Sequence, residues 1–180
     1  AAWQDGQRDV RRMQLLDTTP AAWNLPQGAV CWIVGGTGAI GKALSAHLQA
    51  QHGAKVITSA RHAGPAVMAL DVTDAAAVTR AAADIRLLYG RIDAVFHLAG
   101  HMRSQPLSAA SGVEISGVLA PKIVGAINLD QATKQDQLSA FVLFSSLAGE
   151  LGDFSQGDYA VANRFLAGFA AWREGQVKDR

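Results

Sequence analysis

Val30-Cys31-Trp32-Ile33-Val34-Gly35-Gly36-Thr37-Gly38-Ala39-Ile40-Gly41 is the stretch that decides how this chain is read. Its first five residues form an apolar run of the kind that makes a strand buried on both faces. Glycines at 35, 38 and 41 then let the backbone turn tightly into a helix that starts near Ala39. A side chain at Gly35 or Gly38 would block the turn or hold a pyrophosphate away, and one at Gly41 would push the helix off its strand. The freed amides and the positive end of the helix then face an anion. Ile40, Leu44, His47 and Leu48 give the helix an apolar side, so the glycines stand in the strand, loop and helix that a phosphate-binding turn needs. An ordinary glycine turn is the alternative, and it has no need of that context.

The chain has 180 residues, 49% of them hydrophobic, which fits one globular domain with a real core. A net charge of +1 without any basic run argues against nucleic acid as a partner. The single cysteine, Cys31, lies inside the first strand and reads as a small core residue; it can form no disulfide within the chain, which fits a reducing cytoplasm. No apolar segment reads as long enough to span a bilayer and the amino terminus is polar, so neither membrane anchor nor signal peptide is expected.

Residues 5–16 read as a charged helix with Val10, Met13 and Leu16 on one side. Trp23, Leu25 and Pro26 then lead into the first strand, so residues 1–29 form an extension packed on a domain of residues 30–180. The glycine-loop helix ends at Gly53 and a second strand covers residues 55–59. The end of that strand selects the cofactor: an acid there would bind a ribose 2′-hydroxyl, an arginine a 2′-phosphate. Ser59, Ala60 and Arg61 stand there with no acid nearby, which favours NADPH over NADH, with a solvated surface arginine as the alternative.

Residues 67–70 read as a third strand, with Asp71-Val72-Thr73-Asp74 as strand end and helix cap. Parallel neighbours in one sheet need a crossover of roughly a dozen residues or more. This chain has too few, so a helix has been lost here or a segment is absent from the sequence. Val78, Ala82, Ile85 and Leu88 give a helix over residues 74–88, ended by Gly90. Residues 94–98 make a fourth strand running into Ala99 and Gly100. His97 reads as a core histidine and His101 as a candidate for the cleft. A long helix over residues 112–134 contains Pro121, which costs about 3 kcal/mol or more inside a helix, so a kink is expected. Residues 141–144 form a fifth strand, and a helix beginning near Tyr159 puts Tyr159 and Asn163 on one face. Strands alternating with helices give an α/β fold: a Rossmann-type doubly wound parallel sheet with helices on both faces.

The glycine loop, Asp71-Val72, His97-Leu98-Ala99-Gly100, Leu119-Ala120-Pro121-Lys122, Phe144-Ser145-Ser146 and Tyr159-Ala160-Val161-Ala162-Asn163 together resemble the short-chain dehydrogenase/reductase superfamily. More narrowly, over residues 30–169, they are similar to the ketoreductase domains of modular polyketide synthases. Most of the superfamily places a lysine four residues after the catalytic tyrosine and takes an asparagine from the preceding long helix. Here position 163 is Asn163 and the lysine is Lys122 in that helix, the exchange typical of polyketide ketoreductases. The resemblance implies cofactor contacts at Gly35, Gly36, Thr37, Gly38, Ile40, Gly41, Ser59, Arg61, Asp71, Val72, Ala99 and Gly100, and no metal.

It also implies catalytic roles for Tyr159, Ser146, Lys122 and Asn163. A tyrosine with an ordinary pKa near 10 is a poor acid at neutral pH unless a cation stabilises its phenolate, and Lys122 is that cation. Tyr159 would protonate a carbonyl oxygen, Ser146 would donate a hydrogen bond to the same oxygen, and Asn163 would order the lysine or a water. The family continues past position 180 with a strand, a substrate lid and a last strand, so the sheet as given is expected to be incomplete at its C-terminal end. Met102-Arg103-Ser104 replaces the Leu-Asp-Asp of one stereochemical class and Leu151 the tryptophan of the other; the first absence leans toward an L-hydroxyl product.

The function expected is NADPH-dependent reduction of a β-ketoacyl thioester on the phosphopantetheine arm of an acyl carrier protein, beside neighbouring synthase domains. A free-standing reductase of a small ketone and a non-catalytic ketoreductase-like scaffold are the alternatives.

Overall fold

The computed structural model describes residues 2–4, 6–9 and 25–178. Part of the helix expected over residues 5–16 is instead a hairpin, in which β1 (Ala2–Gln4) pairs antiparallel with β2 (Gln7–Asp9). The chain reverses at Gly6, whose φ of 76 a residue without a Cβ adopts at little cost. Val10, Met13, Leu16 and Trp23 lie outside the described residues.

The remaining strands make one parallel sheet. They are β3 (Val30–Val34), β4 (Lys55–Ala60), β5 (Val67–Ala69), β6 (Ala94–His97) and β7 (Ala140–Leu143), in the order β5-β4-β3-β6-β7. β3 pairs with both β4 and β6, so the winding direction reverses between β3 and β6. That reversal opens a crevice beyond the carboxyl ends of these two strands, the place where open α/β sheets bind ligands.

The core follows from the alternation of side chains along β3. Val30, Trp32 and Val34, with Val95, pack against Val78, Ala82 and Ile85 of α2 (Ala75–Tyr89) and Leu129 of α3 (Gly112–Ala132). Cys31 and Ile33, with Ala94 and Phe96, pack on the other face against Leu48 of α1 (Ala39–His52) and Leu25. Each fully buried aliphatic side chain of this kind contributes about 1.5–3 kcal/mol. Cys31 is indeed a core residue; burial, and then the nearby Asp93 charge, push its thiol up to about 11. Two helix faces differ from the sequence reading: Ile40 and His47 of α1 and Leu88 of α2 point to solvent, leaving Leu44 and Leu48, and Val78 to Ile85, to do the packing.

β4 and β5 do pair in parallel, despite the short connection. The requirement for a long crossover assumes that the chain must return to the start of the neighbouring strand. Here β5 has three residues and aligns Val67 to Ala69 with Thr58 to Ala60, the far end of β4. Residues 61–66 therefore retrace only a short distance, closing through a Gly64↔Val67 bridge and a left-handed Ala66, φ 56.

α3 runs as one helix through Pro121. Its length and mean hydropathy of 1.3 pass for a membrane span by length and composition alone, although Glu114, Lys122 and Asp130 interrupt its apolar run. Val118, Lys122, Ala126, Leu129 and Asp130 of its inward face are nevertheless buried in the fold. Capping residues fall where the sequence puts them: Asp74 accepts from Ala77 N at the start of α2, and Gly53 and Gly90, both left-handed, end α1 and α2. A short helix unread in the sequence, α4 (Ala148–Leu151), precedes α5 (Gly157–Lys178).

Candidate active site

The crevice at the β3/β6 switch point is a cleft of about 1100 Å³. Its floor is the glycine loop. Gly35 has φ 83, and a Cβ on it would strike the Ala99 backbone, so the turn after β3 and the chain after β6 close tightly on each other. A Cβ on Gly41 would strike the Gly36 backbone, where α1 sits on the turn, and one on Gly36 would meet Ile33 and Thr58. A Cβ on Gly38 would meet nothing within 4 Å, so that position opens into the cleft.

Gly38 is also the N-cap of α1, and no side chain caps the helix there. The first amides of α1 are thus left for an anion from outside. Thr37, Ile40 and Gly41 line this end, and Arg61 lies beyond the end of β4 at the far lip. Asp71 and Val72 form the wall beside them. Two hydrogen bonds from Thr73 hold the Asp71 carboxyl below its ordinary range, and Asn128 Nδ2 donates to Val72 O at 3.0 Å. A glycine cradle, an uncapped helix N-terminus and a cationic lip fit a dinucleotide.

Ser59 does not reach the cleft. It is fully buried, its hydroxyl accepts from Trp32 Nε1 at 3.0 Å, and its carbonyl accepts from Gly35 N at 2.7 Å. Gly36 likewise acts behind the cleft wall, through packing.

The opposite wall carries Lys122 and Tyr159. Nζ of Lys122 donates to the Phe144 carbonyl oxygen at 2.8 Å and lies 5.5 Å from the centre of the Tyr159 ring. Burial pushes this amine down to about 8. Gly100 makes room for it, since a Cβ there would come within 2.9 Å of Lys122 Cε. Asn163, one turn along α5 from Tyr159, is fully buried. Its Nδ2 donates to Tyr159 O at 2.8 Å, and among the described residues its Oδ1 has no hydrogen-bond partner.

Ser146 is not in the cleft wall; its Oγ accepts from Ala148 N at 3.2 Å, at the start of α4. Its neighbour Ser145 does line the cleft and donates to Asn163 O at 3.1 Å.

His97, on the β6 face toward α3, is buried with neither ring nitrogen hydrogen-bonded among the described residues. Burial and the adjacent Lys122 charge lower it to about 4, so it is a neutral core histidine. His101 lines the cleft. Sequence reasoning missed Val113, Ser116 and Gly117, which line the cleft from the first turns of α3. Their three-to-four-residue spacing toward Ala120 was the available signal.

A family model for the KR domain matches residues 64–179. The chain belongs to the KR-domain family. It is 39% identical over 108 residues, 60% of its length, to the polyketide synthase PksL of Bacillus subtilis, of which that is 2%. It is 36% identical over 172 residues to the polyketide synthase ThaG of Burkholderia thailandensis, covering 85% of this chain and 3% of that one. Among solved structures it resembles a ketoreductase domain from the bacillaene assembly line, with 26% identity and a TM-score of 0.84, covering 92% of this chain and 43% of that one. The chain thus spans a few hundredths of these two synthases.

This KR domain has the short-chain dehydrogenase/reductase fold, an NAD(P)-dependent oxidoreductase architecture. The alignment with ThaG runs to 172 residues while covering only 85% of these 180, so the relative supplies residues that have no counterpart here. The KR-domain match begins at Gly64, inside the six-residue turn between β4 and β5.

Proposed function

We propose that this KR domain reduces a β-ketoacyl thioester, carried on the phosphopantetheine arm of an acyl carrier protein, to the β-hydroxyacyl thioester, with NADPH as the reductant. The observation that carries the reading is the meeting of Lys122 and Tyr159 across one cleft from an uncapped helix N-terminus. The diphosphate would be held by the amides of residues 37–41, the 2′-phosphate by Arg61, and the rest of the dinucleotide along Asp71, Val72, Ala99 and Gly100. Bound there, the dinucleotide supplies the hydride.

The chain's own work is proton transfer. Tyr159 Oη donates its proton to the substrate carbonyl oxygen, where negative charge develops. Lys122 Nζ, fixed by the Phe144 carbonyl, stabilises the phenolate that remains. Asn163 Oδ1, buried and without a hydrogen-bond partner among the described residues, would accept from a water or from the lysine. Ser146, the expected second donor to that oxygen, is engaged instead with Ala148 N, and Ser145 is the serine that lines the cleft.

Residues 30–180 form the reductase unit, and residues 1–29 an extension joined to it through Leu25 and Ala29. Neighbouring synthase domains and the carrier protein are its partners, in the cytoplasm.

The test is NADPH oxidation, followed by its near-ultraviolet absorbance, with the N-acetylcysteamine thioester of acetoacetate. Turnover is expected in the parent chain and not in Tyr159→Phe, whose NADPH affinity stays within about twofold. Equal turnover in both sinks the assigned role. A non-catalytic scaffold is the second reading; the withdrawal of Ser146 from the cleft favours it, and NADPH binding without oxidation would select it.

A further inference from the structure

Residues 101–111 carry the chain from β6 to α3, and within them Arg103 has no part in the chemistry above. Its side chain is only 15% exposed, and it joins acids from two different helices. Nη2 donates to Oδ2 of Asp158 at 3.0 Å, and Nη1 lies 3.6 Å from Oε1 of Glu114. Asp158 is buried in the first turn of α5, and its Oδ1 accepts from the backbone N of Tyr159 at 2.8 Å. Glu114 stands in the first turn of α3, in a reciprocal cap with Ser111, about two turns before Lys122. The same segment holds the start of α5 twice more. Gln105 N donates to Ser155 O at 2.7 Å, and Leu107 packs where a Cβ on Gly157 would sit.

As a source of stability this arrangement is poor. Burying two charges costs desolvation that only full hydrogen bonding offsets, and Nε and Nη1 of Arg103 are buried without a hydrogen bond among the described residues. An apolar pair would fill the space at lower cost. What a guanidinium offers instead is direction: a rigid planar fork that fixes two acceptors relative to each other.

We infer that Arg103 is a positioning residue. Its guanidinium bridges the first turns of α3 and α5 through Glu114 and Asp158, and so holds Tyr159 against Lys122 in the geometry that proton transfer requires. This rests on the reading of Tyr159 as the proton donor.

The experiment compares the 180-residue chain with Arg103→Met by amide hydrogen exchange, NADPH binding and turnover of the acetoacetyl N-acetylcysteamine thioester. Exchange at the Tyr159 and Ala160 amides should accelerate roughly tenfold or more, while the Ala81 and Ala82 amides in α2 are unmoved. The kcat should fall roughly ten- to a hundredfold, with KM and the NADPH Kd within about twofold. Arg103→Lys, a point charge without the fork, should recover part of the loss. Asp158→Asn, which keeps the cap on Tyr159 and discharges the pair, should give the same pattern more weakly and stands in if Arg103→Met does not fold. Unchanged exchange at Tyr159, or a fall in turnover that only tracks the folded fraction, overturns the inference. If the parent chain itself fails to turn over, the proposed reaction fails, and the exchange comparison alone decides whether Arg103 holds α5.

Discussion

Lys122 is buried to 4% exposure, yet the role proposed for it requires that it carry a charge. Its folded value of about 8 lies below the ordinary 10.5, so the folded chain gives up the proton first as pH rises. The cost of holding the buried cation is therefore fully present below pH 8 and is relieved between 8 and 10.5. A shift of that size corresponds to at most about 3 kcal/mol. Lys122→Met should raise the melting temperature at pH 7, by on the order of 2–4 °C for each kcal/mol relieved, while abolishing turnover. At pH 10 the advantage over the parent should shrink. A gain that is the same at both pH values would mean that the buried charge is not its source.

The contacts that make Lys122 and Tyr159 a site were only partly legible beforehand. Spacing identifies which residues belong together, because it counts helical turns and strand ends. It cannot show that the Phe144 carbonyl fixes the amine, that Ser59 turns inward to Trp32, or that Arg103 reaches Asp158 fifty-five positions away. Those are properties of how elements meet.

Among elements, the turn between β4 and β5 is the most unusual. Ala66 occupies the left-handed region without being glycine, which costs a residue with a Cβ roughly 1–2 kcal/mol. Glycine removes that strain and returns part of it as unfolded-chain entropy. Ala66→Gly should therefore stabilise the chain by roughly 0.5–1 kcal/mol, read as the shift of a urea midpoint with unchanged slope. A destabilisation would show that the turn is not held as described.

Elements with a strong local signal were read within a residue or two: β3 from its apolar run, α2 from Asp74 and Gly90, α3 from its length. The hairpin at residues 2–9 and the parallel β4–β5 pair were not. The first places a three-residue strand in a charged stretch that has helical spacing; the second breaks a rule about crossovers by pairing strand ends only. In each, local pattern lost to a pairing partner that sequence does not name.

At the scale of the whole molecule, the two sheet faces are covered unequally. Among the described residues, α2 and α3 pack on the face of Trp32 and Val95, whereas α1 is the helix on the face of Ile33 and Phe96. Right-handed crossovers place any helix between β4 and β5 on the α1 side. The six-residue turn leaves that side of the sheet's edge thin, and β4 there is mostly half-buried. The proposed proton-transfer residues, on α3 and α5, lie away from this edge.

Trp32 lies at the middle of the switch-point strand, fully buried, while Trp172 is half exposed. Of the chain's four tryptophans, these two should therefore emit at different wavelengths, Trp32 toward the blue. Reduced nicotinamide absorbs where buried tryptophan emits, so NADPH entering the cleft should dim the blue component first, and a chain carrying Trp3→Phe, Trp23→Phe and Trp172→Phe together should lose none of that response. The sheet's own core thus gives the domain an optical reading of cofactor occupancy, independent of whether any ketone is reduced.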